Sequence, residues 1–352
     1  MNDRVGSLRL VDATRAEFDD SLGEHDLRRL AGLRGLETLQ CSVPVKDRVW
    51  SLLNDGFFDT RPDVELRVYG HYSTECDLAF ARRMANVRRF AADCLTRARN
   101  VDAIGAMHLE SLSLGIFELQ DFSVLELVPP TLTTLSLGAT RSKAPRVDSL
   151  RRFRSLKVLR LEGQANGIDA LGDLPALEDL TLRSITTPDL RYLAPLPRLR
   201  SLDIKLGGIR SFGGIEGKDT IQYLELWQVR GLDSADIVGS LPRLQNVFLQ
   251  SLPRIQALSP LRDAVALRRV VLESMKGLRD FTALKTAPAL EEFGLVDGRS
   301  QEPEQLLPVL ENPVTRRVSA MFGRDRKNHA FARLRDAHDK SDWDLSTRFE
   351  YR

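Results

Sequence analysis

The densest cluster of groups able to bind a metal or attack a substrate lies in GHYSTECD (70–77), which holds His71, Glu75, Cys76 and Asp77. A zinc centre needs three or four converging ligands. The remaining histidines, His25, His108, His329 and His338, are scattered, and Cys41 and Cys94 stand far off along the chain. No recognised ligand spacing is completed, so neither a metal nor a cofactor is expected. There is no GxxxxGK[ST], no GxGxxG after a strand, no HExxH, no GxSxG and no CxxC. None of the three cysteines has a visible activating partner. These absences point away from an enzyme. What is left is non-covalent recognition, and the residues best suited to it are Tyr223, Trp227 and Phe248, three aromatics in a chain that is only 7% aromatic.

Their placement depends on a repeat. L-x-x-L-x-L recurs from Leu109-Leu112-Leu114 through Leu132, Leu156, Leu177, Leu199, Ile221, Leu244 and Leu267 to Leu290-Phe293-Leu295, at spacings of 23, 24, 21, 22, 22, 23, 23 and 23 residues. Weaker copies are Val87-Phe90-Ala92, Leu36-Leu39-Cys41 and Val5-Leu8-Leu10, and Val64, Leu66 and Val68 alternate between them. Alternation makes a short strand with one face inward. One coil cannot bury that face alone, so successive coils must stack as a parallel sheet.

The second half of each coil spaces its apolar residues three apart and ends in Pro and Leu, as in LQSLPRIQALSPLRDAVAL (249–267) and LRSITTPDLRYLAPLPRL (182–199). This resembles the bacterial internalin-like leucine-rich repeats of about 22 residues. The resemblance is good over roughly residues 100–300 and poor elsewhere. It implies an α/β leucine-rich-repeat solenoid with a concave parallel β-sheet and short 3₁₀ turns on the convex side. One departure is clear. Where the family carries a ladder of Asn at the ninth position, this chain has Thr140, Gln164, Ile185, Gly207, Val229, Leu252, Met275 and Gly298. Apolar side chains are expected to pack the turn instead.

Three regions follow: irregular N-terminal repeats over 1–100, regular repeats over 101–300, and a C-terminal cap and tail over 301–352. Helical patterns in KDRVWSLLNDGF (46–57) and CDLAFARRMANVRRF (76–90) predict α-helices in the N-terminal coils, and HAFARLRDAHD (329–339) predicts one in the cap. Too little chain remains for an added catalytic domain.

Residues at the third, fifth and seventh places of each unit point away from the leucines, toward the concave face. Its charged positions are balanced. Arg9, Arg67, Arg89, Arg160, Arg183, Lys205 and Arg269 face Glu65, Asp93, Glu162, Asp179, Asp203, Glu225, Glu273 and Glu292. A phosphate-tracking surface is predominantly basic, so the mixed charge favours a protein partner. The candidate partner site is Arg183, Asp203, Lys205, Tyr223, Glu225, Trp227, Asn246, Phe248 and Arg269, an aromatic patch with a polar rim. A second explanation stands beside it: these aromatics pack against a cap or loop of the same chain. The leading expectation is a non-enzymatic protein-binding module, such as a bacterial effector, immunity-type protein or scaffold. The alternative is a nucleic-acid-binding protein, motivated by 42 arginines, the basic loop ATRSKAPRVDS (139–149), and ten basic against six acidic residues after Asn312.

The net charge of +2 gives no global pull toward nucleic acid or an anionic membrane. An odd cysteine count argues against a disulfide framework. The first residues show no basic stretch followed by an apolar run, and no segment approaches about 18 consecutive apolar residues. A cytoplasmic protein is expected, with secretion by a signal-less route left open.

Overall fold

The computed structural model describes residues 8–70 and 75–352. Val5 and His71, named above, lie outside the described residues. The chain forms two compact units, Met1–Leu177 and Glu178–Arg352.

The first unit opens with β1 (Leu8–Leu10) and β2 (Arg15–Phe18), an antiparallel hairpin. From β2 onward the strands run parallel. They are β3 (Thr38–Cys41), β4 (Glu65–Tyr69), β6 (Arg89–Leu95), β8 (Ser111–Ile116), β9 (Thr134–Leu137) and β10 (Val158–Glu162). Leu39, Leu66, Phe90, Leu112, Leu135 and Leu159 stack rung on rung and are fully buried. A two-strand parallel pair, β5 (Cys76–Asp77) and β7 (Ala98–Arg99), lies outside this sheet. Two helices occur in the irregular coils: α1 (Glu24–Gly32), which the sequence patterns do not single out, and α2 (Asp47–Leu53), which falls in the expected 46–57 and runs on into a wider turn over Asn54–Phe58. Trp50 of α2 stacks on Phe80 at 3.9 Å and takes the edge of Phe18 at 5.6 Å.

Two expectations for this unit are corrected. Leu8 and Leu10 do not open a repeat coil. They belong to the hairpin, and Leu10 is exposed. Nor is 76–90 an α-helix. It is β5, a 3₁₀ turn at Ala79–Arg83 and the start of β6. The buried residues Leu78, Ala81, Met84 and Val87 are spaced by three throughout. That is the period of a 3₁₀ turn, and over so short a stretch it imitates an α-helical stripe.

The second unit stacks β11 (Asp179–Arg183), β12 (Ser201–Lys205), β13 (Tyr223–Trp227), β14 (Asn246–Gln250), β15 (Arg269–Glu273), β16 (Glu292–Val296) and β17 (Arg317–Ala320), all parallel. Its inner rung is Leu180, Leu202, Leu224, Val247, Val270, Phe293 and Val318. Short helices α3 (Ile237–Ser240) and α4 (Leu307–Leu310) cross its back, and α5 (Asp325–Ala337) caps it.

The coils of β11 to β16 each kink just after the strand. Ser184, Leu206, Gln228, Ser251, Ser274 and Asp297 all take positive φ, between 49° and 57°. Non-glycine residues adopt this region at a cost of roughly 1–2 kcal/mol. In the first five the kink turns the N–H toward the next coil, where it donates to a strand carbonyl, for example Ser184 to Lys205 and Leu206 to Trp227, both at 2.8 Å. A recurring strain is thus offset by a recurring hydrogen bond. At the following position Ile185, Val229, Leu252 and Met275 are buried, as expected in place of an Asn ladder. Buried amides serve further on. Gln301 donates to the carbonyls of Met275 and Leu278, and Asn312 to those of Leu284 and Ala287.

Candidate interaction face

The outward side chains of unit 2 form three rows set by strand register. One row runs Asp179, Ser201, Tyr223, Asn246, Arg269, Glu292, Arg317. The next runs Thr181, Asp203, Glu225, Phe248, Val271, Gly294, Ser319. The third runs Arg183, Lys205, Trp227, Gln250, Glu273, Val296. All nine predicted site residues are therefore on this face, but the three aromatics are not one cluster. Tyr223 and Trp227 stand at opposite ends of β13, about 13 Å apart at 3.3 Å per residue, with Glu225 between them. Among the described residues no ring pair joins Tyr223, Trp227 and Phe248.

Over β11–β13 the face is an ionic network with an aromatic border. Lys205 Nζ lies 3.3 Å from Asp203 Oδ2 and 3.0 Å from Glu225 Oε2. Tyr223 donates its hydroxyl to Glu225 Oε2 at 3.1 Å, and Thr181 donates to Asp203 at 3.4 Å. The Arg183 guanidinium sits 5.8 Å from the Trp227 ring. Burial opposes the charge on Lys205, but its hydrogen bond to Glu225 and the two carboxylates hold its pKa above the ordinary value. Burial, with Glu225 and Asp203 nearby, raises the Tyr223 phenol. On this stretch of the face two buried polar atoms have no hydrogen-bond partner among the described residues, the acceptor Asp203 Oδ1 and the donor Trp227 Nε1; others lie elsewhere, at Gln164, Thr220, Gln301 and Thr315.

Burial raises the Asp203 carboxyl, Lys205 lowers it and Glu225 raises it again, leaving it above the usual carboxylate range. A raised folded-state pKa means that the fold holds this proton more tightly than the unfolded chain does. The group's contribution to stability therefore falls as pH rises through that range. Asp203→Asn is expected to raise the melting temperature at pH 7. The gain should vanish below about pH 3.9, where the unfolded carboxyl is also protonated. An equal gain at both pH values in a thermal melt would sink this account.

Over β14–β16 the face is already occupied by residues 341–352. The Trp343 indole is buried against Gly294 and donates Nε1–H to the Phe293 carbonyl at 3.0 Å. Arg269 lies between the rings of Trp343 and Phe349, at 4.6 and 5.0 Å, pairs with Glu292 and donates to the Thr347 carbonyl at 2.9 Å. The Tyr351 hydroxyl is hydrogen-bonded to Asn246. Of the predicted site, Arg269 and Asn246 are thus engaged by the same chain, while Arg183, Asp203, Lys205, Tyr223, Glu225 and Trp227 form the network on β11–β13. Sequence reasoning missed Gln245, Arg268 and the 341–352 segment. The available signal was the concentration of Trp343, Phe349 and Tyr351 within nine residues of an otherwise polar stretch.

The other candidates resolve as follows. Cys76 is buried in β5, not at a helix start, and burial with Asp77 beside it pushes its thiol up to about 12. Cys41 is buried on the inward side, and Cys94 is exposed within β6. Among the described residues no group of three or more His, Cys, Asp or Glu could hold a metal ion. No helix among them is long and apolar enough to cross a membrane. In the basic loop, Arg146 pairs with Asp148 at 2.7 Å and Arg141 lies 3.9 Å from Glu118. Several cations of the last forty residues are also paired, Arg317 with Glu292, Lys327 with Glu302 and Arg335 with Asp342.

No protein-family model matches the chain, and no curated protein matches it in sequence. Solved structures do. An internalin (inlF) from Listeria monocytogenes is 17% identical with a TM-score of 0.53, over 89% of this chain and 87% of that one. The leucine-rich-repeat protein LIC12759 of Leptospira interrogans is 14% identical with a TM-score of 0.54, over 94% and 89%. TLR13, solved in complex with ssRNA13, is 17% identical with a TM-score of 0.56, and this chain spans 50% of its length. Together with the stacked parallel strands, the leucine rungs and the 3₁₀ turns, these likenesses identify the fold: the chain has the leucine-rich-repeat fold that the internalin also has.

Proposed function

We propose that the chain is a non-enzymatic binding module that holds a partner protein on the outward face of unit 2, over β11–β13. The observation that carries this reading is the outward ionic network of Asp203, Lys205 and Glu225 bordered by Tyr223 and Trp227; within it Asp203 Oδ1 and Trp227 Nε1 are buried without a partner. A buried donor or acceptor without a partner costs roughly 1–3 kcal/mol. A turn of these side chains against a partner that supplies one N–H and one carbonyl would recover that cost at the interface. Trp and Tyr with charged neighbours also make the contacts that dominate binding energy when a partner seals them from water. An effector, immunity-type or scaffold role is compatible with this site.

The test is affinity capture with the wild type beside Tyr223→Ala/Trp227→Ala/Phe248→Ala, both shown to be folded by circular dichroism. A saturable protein partner retained by the wild type and lost with the folded variant is the expected result. Equal retention by both would place the interface elsewhere. Because TLR13 was solved with RNA, single-stranded RNA is the necessary control. Binding that falls steeply with salt and is unchanged in the triple variant would replace the protein reading.

A further inference from the structure

We propose that residues 344–352 are an internal occupant of this same face, and that the partner segment recognised over β14–β16 is an extended peptide carrying an aromatic–x–aromatic pair. This rests on the reading of the unit 2 face as a protein-binding surface, extends it from β11–β13 to the neighbouring β14–β16, and specifies the chemistry that a partner would present there.

The argument starts from how the segment is held. Its anchor is Trp343, 9% exposed. Past that residue, among the described residues, no main-chain bond ties the segment to a strand; its one main-chain bond is internal, Thr347 to Asp344. The sheet grips it with side chains instead. The Gln245 amide donates to the main-chain oxygen of Arg352 at 2.7 Å and accepts from the Arg352 N–H at 2.9 Å. Arg268 donates to the Glu350 carbonyl at 2.8 Å, and Arg269 to that of Thr347. These bonds read a backbone, so any extended peptide supplies them. Sequence preference comes from the rings. Phe349 lies against both guanidiniums, 5.1 Å from Arg268 and 5.0 Å from Arg269, and its ring meets that of Tyr351 nearly at right angles with centroids 4.8 Å apart. Cation–π contacts of this kind contribute roughly 0.5–2 kcal/mol.

The hold is also loose. Tyr351 is 47% exposed and the Arg352 side chain 69%. A segment without main-chain pairing and with exposed ends opens at low free energy. An incoming peptide that makes the same contacts competes with it directly, and its apparent affinity is reduced by the fraction of time the site is filled.

The experiment uses the full chain and a labelled peptide of sequence DLSTRFEYR, identical to residues 344–352, followed by fluorescence anisotropy. Phe349→Ala/Tyr351→Ala removes the rings from the internal segment and leaves every residue of the face in place. This variant should bind the peptide about ten-fold more tightly than the wild type, and amide exchange over 345–352 should accelerate. Adding Gln245→Ala to the variant should weaken the peptide again. Equal peptide affinity for the wild type and the variant, no binding to the variant, or unchanged exchange would each overturn the proposal. If the peptide fails while partner capture over β11–β13 succeeds, only the internal-occupant inference falls. If the peptide binds and no protein is captured, it is the wider reading that fails.

Discussion

Arg269→Ala is expected to destabilise unit 2 by about 3 kcal/mol, because it breaks a buried ion pair and leaves one charge behind. The Arg269 and Glu292 side chains are 8% and 5% exposed. Burial already lowers the Arg269 pKa, a sign of how strongly its surroundings oppose the charge. Without Arg269, Glu292 keeps only Arg317, whose side chain is 46% exposed and screened by water. The same substitution removes the guanidinium from between Trp343 and Phe349, so protease cleavage after Arg348 should accelerate along with the loss of stability. Arg317→Ala is the contrast, and should change stability by less than about 1 kcal/mol. Similar losses for the two variants in urea unfolding would show that the pair is not buried in solution.

The second large effect is expected at Gly207. A Cβ there would stand 2.0 Å from the Ile185 carbonyl oxygen. That oxygen accepts the Gly208 N–H at 3.1 Å, so it cannot retreat without breaking the bond between coils. Gly207→Ala should lower stability by about 3 kcal/mol, at the upper end for overpacking because backbone, not a side chain, is in the way. At Gly208 a Cβ meets the Thr186 side chain at 3.3 Å and the Arg230 carbonyl oxygen at an ordinary 3.5 Å, and Gly208→Ala should be mild. If both variants melt together, the close approach of the two coils at Gly207 is not what requires glycine.

These sites show what could be read in the chain and what could not. The leucine rungs were legible because each inward side chain announces itself with a large apolar residue at fixed spacing. β17 was not, since Thr315 and Ala320 stand where its neighbours carry Leu290 and Leu295; Thr315 is nonetheless buried, and the strand pairs in register. β2 was hidden for the same reason, with Ala16 paired to Leu39. The nine face residues followed from strand alternation alone. The occupant of β14–β16 did not, because it is held by side-chain to main-chain bonds between residues as much as 107 positions apart, which leave no local period. Among the described residues the three aromatics make no ring contact, for a simpler reason. Adjacent coils bring Phe248 within one strand spacing of β13, but Tyr223 and Trp227 share a strand and are separated along it.

The last strand carries a further consequence. β17 would present a row of open N–H and C=O groups, and such an edge is a template for another chain. Here the Val318 N–H donates to the Ser341 carbonyl and the Ser341 N–H to the Arg316 carbonyl, both at 2.9 Å, while α5 packs over the same coil through Phe331 against Phe322. A single residue of pairing is enough to spoil the template at its centre. Leucine-rich coils are self-complementary by construction, so an unblocked edge would favour end-to-end fibres as protein concentration rises. Ser341→Pro, which deletes the donor to Arg316, turns that into a light-scattering experiment on how a repeat protein stays dispersed.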